Sequence, residues 1–221
     1  MKNALVIGAS GGIGRAVSDE LGARGYQVTG LSRSIDGLDV TDEQSVEVAL
    51  GGLDGPFSLI FVATGALTPS GQPPEKAIRE LTPEALRAAF DVNALGPMIL
   101  LKHCLRLLPK DAPSVFAALS ARVGSIGDNQ IGGWHSYRAS KTALNQLIHG
   151  ASIELKRTHK LATAVCLHPG TVETSFTEKY AARHKTIPAT TAASNLIDVL
   201  ENLTPAQSGQ FFDYAGKEIV W

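Results

Sequence analysis

Short, almost wholly apolar runs alternate with longer amphipathic stretches from one end of this sequence to the other. That alternation leaves few architectures open. Ala4–Ile7 (ALVI), Gln27–Leu31, Phe57–Ala63 (FSLIFVA), Ser114–Leu119, Ala162–Leu167 and Gln210–Tyr214 read as strands, and the most apolar of them suit burial on both faces. Between the first two, Ile13, Ala16, Val17 and Leu21 recur at helical spacing. Thr41 reads as an N-cap, with Glu43 and Gln44 in the first turn of a helix to about Leu50. Thr82-Pro83-Glu84 opens a further helix, with proline at its first position. Helices are also expected over Leu95–Leu108, stopped by Pro109, over Ser136–Thr158 and over Ala189–Leu203. The Pro-, Ser- and Gly-rich residues 67–76 and the glycine-rich 121–135 read as loops. Strand–helix alternation with right-handed crossovers predicts one α/β domain over residues 1–221, a doubly wound parallel sheet of about seven strands with helices on both faces.

Composition narrows the function classes. The 221 residues carry 20 Lys and Arg against 21 Asp and Glu, a formal net charge of −1, with 44% hydrophobic and 19% charged residues. A disordered chain would be more charged and less apolar. A nucleic-acid binder would show a basic excess. Cys104 and Cys166 have no metal or redox spacing and sit in apolar runs, so they read as buried free thiols. The apolar start at Ala4–Gly8 is too short for a secretory core, and Ala94–Leu108 is broken by Lys102, His103 and Arg106. The expectation is a soluble cytoplasmic protein with no membrane and no metal site.

The first strand runs into Gly8-Ala9-Ser10-Gly11-Gly12-Ile13-Gly14, and a helix follows. Glycine at 8 permits a tight turn, glycine at 12 lets backbone approach a pyrophosphate, and glycine at 14 lets helix and strand pack closely. The helix N-terminus then offers free N–H groups to the anion. A strand before and a helix after are the context this motif requires, which predicts a Rossmann dinucleotide site. The second strand ends Leu31-Ser32-Arg33-Ser34, with no carboxylate for a ribose hydroxyl. Arg33, with Ser32, suits a 2′-phosphate, so NADP(H) is preferred and NAD(H) stays possible. The competing reading makes Arg33 a solvated side chain and leaves the ribose to Asp36 or Asp39.

Tyr137-Arg138-Ala139-Ser140-Lys141 places a phenol and an ammonium on one face of a helix. A nearby cation favours phenolate, so Lys141 is expected to lower the Tyr137 pKa and fit it for proton exchange with an alcohol or carbonyl oxygen.

With the glycine loop, this pair resembles the short-chain dehydrogenase/reductase family over essentially the whole chain. It is closest in look to compact carbonyl-reductase-like and C-factor-like members, judging by Arg122-Val123-Gly124-Ser125-Ile126 and YRASK. The resemblance implies cofactor contacts from Gly8, Ser10, Gly11, Gly12, Ile13, Gly14, Ser32 and Arg33. It adds the adenine pair Asp39-Val40, and Ala63-Thr64-Gly65 in place of the usual Asn-Ala-Gly. Asp91-Val92-Asn93-Ala94 is similar to the segment carrying the family's catalytic asparagine. That makes Asn93 a catalytic and cofactor-side candidate, holding a water in a proton relay. Pro169-Gly170, Val172 and Thr174 match the nicotinamide segment, with Thr174 placed for the carboxamide. Tyr137 and Lys141 match the family's Tyr-x-x-x-Lys, as catalytic residues that also contact the cofactor. The family's catalytic serine falls, by strict spacing, on Ala121. Ser120 is the first candidate to replace it, Ser125 the second, and a site without a serine the third.

The implied activity is NADP(H)-dependent hydride transfer between nicotinamide and a small carbonyl or alcohol substrate. A sensor or signalling protein on the same fold is the alternative. A homodimer or homotetramer is implied on the helices near 95–108 and 136–158, with Leu101, Leu105, Ala143, Leu147 and Ala151 as apolar candidates and Phe211, Phe212 and Trp221 as further contacts. Residues 175–188 are expected to form a lid carrying Phe176, Tyr180, Arg183, His184 and Lys185. Trp134 and His135 are candidates for the pocket wall.

Overall fold

The computed structural model describes residues 2–174 and 186–221. Six strands form one sheet among them: β1 (Lys2–Ile7), β2 (Tyr26–Leu31), β3 (Leu59–Val62), β4 (Ser114–Leu119), β5 (Ala162–His168) and β6 (Phe211–Asp213). The order is β2-β1-β3-β4-β5-β6, and every pairing is parallel. The helices are α1 (Gly12–Ala23), α2 (Arg33–Asp36), α3 (Glu43–Gly51), α4 (Pro83–Phe90), α5 (Gly96–Cys104), α6 (His135–Thr158) and α7 (Ala189–Glu201).

Period-two alternation divides the core. Leu5 and Ile7 of β1 point into an apolar cluster with Leu50 of α3, Leu100 of α5 and Leu144 of α6. Ala4 and Val6 point the other way, against Val17 and Leu21 of α1 and Leu196 and Ile197 of α7. This two-faced burial explains why the strand runs are almost wholly apolar.

The sheet has six strands where the sequence suggests about seven. The short apolar stretch Leu38-Asp39-Val40 pairs with no strand, because its amides are taken locally: Leu38 N donates to Ser32 O at 3.3 Å and Asp39 N to Ser45 Oγ at 2.9 Å. The cap of α3 is Asp42, not Thr41. Asp42 accepts from Gln44 N, while the Thr41 hydroxyl and amide both donate to Asp39. Thr82 caps α4 as expected, accepting from Ala85 N. The helix expected over Leu95–Leu108 begins with a wide turn at Asp91–Leu95, between α4 and α5, and ends in a tight turn at Leu105–Leu107. Phe211 and Phe212 are buried in the chain's own core, so they are not available to a neighbouring subunit. Trp221 stacks on Phe211 with ring centroids 6.1 Å apart.

The sheet order reverses where β1 lies between β2 and β3. In an open parallel sheet the crevice for a ligand opens beyond the strand C-termini at that switch.

Candidate active site

A cleft of about 500 Å³ opens at this point. Its walls are Gly11–Gly14, Arg33, Ala63-Thr64-Gly65, Leu119-Ser120-Ala121, Tyr137, Lys141, His168-Pro169-Gly170, Val172 and Thr174. Residues from six separate segments meet there because each follows, or packs against, a strand C-terminus.

The glycine loop is shaped by close approach. Gly8 has φ +90, and a Cβ on Gly14 would lie 2.1 Å from Gly8 O. A side chain at 14 would therefore drive α1 off β1. At Gly12 a Cβ would lie 2.6 Å from Thr174 Cγ2, so Thr174 closes over the start of α1. Gly11 caps α1 with no side-chain hydrogen bond, and no acidic residue occupies the first turn. This bare, positively polarised helix start, in a cradle that a Cβ would fill, fits a dinucleotide pyrophosphate.

At the far end of β2, Arg33 lines the cleft. Ser32 does not. Its hydroxyl accepts from Ile35 N and donates to Asp36, whose carboxylate also takes Ser32 N at 2.7 Å. Asp36 is thereby held within α2, and Asp39 is held by Thr41, which keeps its carboxyl below the usual range through the Thr41 hydroxyl and amide. Neither acid is among the lining residues. Ser34 instead donates to Ser10 Oγ at 3.0 Å, pinning the glycine loop to the end of β2. Gly8, Ser10, Val40 and Asn93 also stand behind the cleft wall. Val40 packs against Gly96, where a Cβ would lie 2.8 Å from Val40 Cγ2.

Asn93, fully buried in the wide turn, clamps instead of facing the cleft. Its Nδ2 donates to Ala66 O at 2.8 Å and to Ser140 Oγ at 3.1 Å, and its Oδ1 accepts from Ala66 N at 2.8 Å. Both side-chain hydrogens are used, so a water held by Asn93 would have to donate to its Oδ1 or its main-chain carbonyl. The same clamp draws the loop after β3 against α6, where Gly65 leaves room for Lys141 Nζ.

Lys141 is buried, and its Nζ donates to Leu119 O at 2.8 Å. Burial pushes its pKa down to about 8, against a smaller upward pull from Cys166. Nζ lies 6.0 Å from the Tyr137 ring centroid. The phenol departs from the expectation: burial raises the Tyr137 pKa above its ordinary value. Desolvation of the neutral phenol's would-be anion sets the direction.

The serine candidates are placed as follows. Ser120 lines the cleft, but its hydroxyl donates to Asn145 Oδ1 on α6 at 2.7 Å. Ser125 lies against the C-terminal segment, donating to Val220 O at 2.5 Å. It takes no part in the cleft. Ala121 presents a methyl group there. Trp134 meets Tyr137 edge-on at 6.3 Å between centroids, but neither Trp134 nor His135 is among the lining residues. Of the lid segment 175–188, residues 175–185, with Phe176, Tyr180, Arg183, His184 and Lys185, fall outside the described residues.

Two contributors escape sequence reasoning. Glu75, from the 67–76 loop, accepts from Ser136 N at 3.3 Å and from the Ser136 hydroxyl, so it caps α6 one residue before Tyr137. Burial alone would raise its pKa, but those donors and His135 hold it below the usual range. His168 is the second: it lines the cleft with a buried, unpartnered Nδ1.

The family model for short chain dehydrogenases matches residues 37–185. The chain belongs to the short-chain dehydrogenase family. The 1-hydroxy-2-glutathionyl-2-methyl-3-butene dehydrogenase of Rhodococcus sp. is 30% identical, with both chains covered in full. The C-signal of Myxococcus xanthus is 38% identical over 60% of this chain and 76% of its own length. Among solved structures, NADPH-bound carbonyl reductase from chicken fatty liver superposes with a TM-score of 0.85 at 23% identity, covering 100% of this chain and 99% of its own. At that identity the likeness shows the fold.

Proposed function

We propose that this short-chain dehydrogenase is an NADP(H)-dependent oxidoreductase acting on a small carbonyl or alcohol substrate. The observation that carries the reading is the meeting of Tyr137 and Lys141 with the glycine loop and Arg33 in one cleft. The α1 amides after Gly11 suit the pyrophosphate, Arg33 the 2′-phosphate, Ala63–Gly65 the adenosine side, and Pro169, Gly170, Val172 and Thr174 the nicotinamide side. When bound, the nicotinamide supplies or accepts the hydride. Tyr137 then gives a proton to the carbonyl oxygen, completing C=O to CH–OH, or takes it back in oxidation. Lys141 places positive charge beside the phenol as it loses that proton. Asn93 and Glu75 hold α6 and the loop after β3 in register with the cleft. A homodimer or homotetramer would use the groove between α5 and α6 lined by Met98, Ile99, Leu105 and Ala151; sedimentation checks it.

Replacing Tyr137 with Phe is expected to lower NADPH-dependent reduction of 4-nitrobenzaldehyde by roughly 10²–10⁴, with NADPH binding unchanged. Full turnover in that variant excludes the assignment.

A second reading is a cofactor-binding signalling protein. The methyl at Ala121 and the similarity to the Myxococcus C-signal favour it. NADPH oxidation across aldehydes, ketones and quinones separates the two: turnover supports the enzyme, and binding without turnover the signal.

A further inference from the structure

Among the described residues, two polar side-chain atoms belonging to the cleft wall are buried without a partner, Thr64 Oγ1 and His168 Nδ1. Buried polar atoms are ordinarily paired, so an orphan just beneath the wall of a ligand cleft marks a side chain whose hydrogen-bonding capacity is unspent. Thr64 is already placed on the adenosine side. His168 has no such assignment.

Its position follows from the sheet. Ser120 N donates to Leu167 O at 2.7 Å, which carries the parallel ladder one step past β4, so His168 stands beside Ser120. Cys166, two residues earlier, lies in the core beneath α6, and its thiol feels the Lys141 charge. By strand alternation His168 projects to the same side, one step further toward the strand C-termini. Of the other groups there, Ser120 donates to Asn145, Lys141 spends one of its three hydrogens on Leu119 O, and Ala121 offers a methyl. Arg122 and Asp213, paired at 3.0 Å, flank the imidazole. Burial first, then Arg122, push its pKa down to about 4, with Asp213 pulling the other way. The ring is therefore neutral at ordinary pH, with one N–H and one bare nitrogen.

We propose that the His168 imidazole hydrogen-bonds the oxygen of the carbonyl substrate, as a second polar contact beside Tyr137. The inference rests on the oxidoreductase reading. Hydride arrival at the carbonyl carbon builds negative charge on the oxygen, and an oriented donor in a partly dry cleft stabilises that charge. The imidazole donates a hydrogen bond only; the proton that completes the alcohol comes from Tyr137.

The test compares His168→Leu, His168→Asn and His168→Gln with NADPH and 4-nitrobenzaldehyde. The Leu variant is expected to lose roughly 10²-fold in kcat/KM. Asn or Gln, which restore an amide donor near one ring nitrogen or the other, should recover most of it. Circular dichroism and NADPH affinity should stay unchanged in all three. Wild-type turnover in the Leu variant overturns the proposal, as does equal impairment in all three variants or a parallel loss of NADPH affinity. No NADPH oxidation by the wild type with any of the aldehydes, ketones and quinones overturns the underlying reading as well, which keeps the two failures apart.

Discussion

Lys141 is subject to two opposed demands, and its pKa records the outcome. Its ammonium must lie beside Tyr137, yet that place is dry, with Leu119 O as its hydrogen-bond acceptor. The folded-state pKa falls from 10.5 to about 8. Between those pH values the unfolded chain binds more protons than the folded one, so the Lys141 contribution rises with pH across that window and is lowest below about pH 8. Folding should therefore gain up to about 3 kcal/mol from this group between pH 8 and 10.5. Urea titrations of wild type and Lys141→Met across that range check it. The stability advantage of the Met variant should shrink as pH rises, and an advantage independent of pH would contradict the buried-ammonium account. Tyr137 and Cys104 are shifted upward by burial and so lose stability at high pH, but they do so in both proteins. The tyrosine–lysine spacing was legible because helical geometry is local. The sign of the phenol shift was not, because burial is set by β4, the wide turn and the Gly65 loop together. His168 was illegible for a similar reason: one histidine before a proline says nothing until β4 and β5 stand side by side.

At the level of single elements, α1 shows how one helix can ask opposite things of the same residue type. Gly14 faces β1, where a Cβ would lie 2.1 Å from Gly8 O and 2.8 Å from Gly8 C, both backbone atoms that cannot move alone. Gly22 is exposed, with nothing within 4 Å of its Cβ position. Gly14→Ala should destabilise the fold and weaken NADPH binding together, since α1 must shift to admit the methyl. Gly22→Ala, in the last turn of α1, should stabilise by at most about 0.5–1 kcal/mol, the gain of a helix interior. Thermal unfolding of the two variants checks both signs, and destabilisation by Gly22→Ala would refute the open-space reading. The strands were readable because burial on both faces leaves only apolar choices. The wide turn at Asp91–Leu95 was not, since the Asn93 clamp on Ala66 spans 27 positions of chain. Thr41 and Asp42 are both good capping residues, and only the competing pull of Asp39 on Thr41 decided between them.

On the scale of the whole molecule, cofactor choice becomes a stability measurement, because a ligand that binds the folded chain alone shifts unfolding by mass action. The cleft gathers segments that follow β1 to β5, so its occupation ties together five of the six strands. At NADPH one hundred times its dissociation constant the gain is about 2.7 kcal/mol. For a chain of this size each kcal/mol raises Tm by roughly 2–4 °C, which predicts a rise of about 5–10 °C. Asp36 and Asp39 are held by Ser32 and Thr41, away from the cleft wall, while Arg33 lines it. NADH at the same concentration should therefore give a much smaller rise. Arg33→Ala should remove most of the NADPH effect and leave the NADH effect in place, since only the 2′-phosphate contact is lost. Differential scanning fluorimetry with both nucleotides on both proteins decides the matter. Equal shifts by NADPH and NADH in the wild type would return Arg33 to the status of a solvated surface charge.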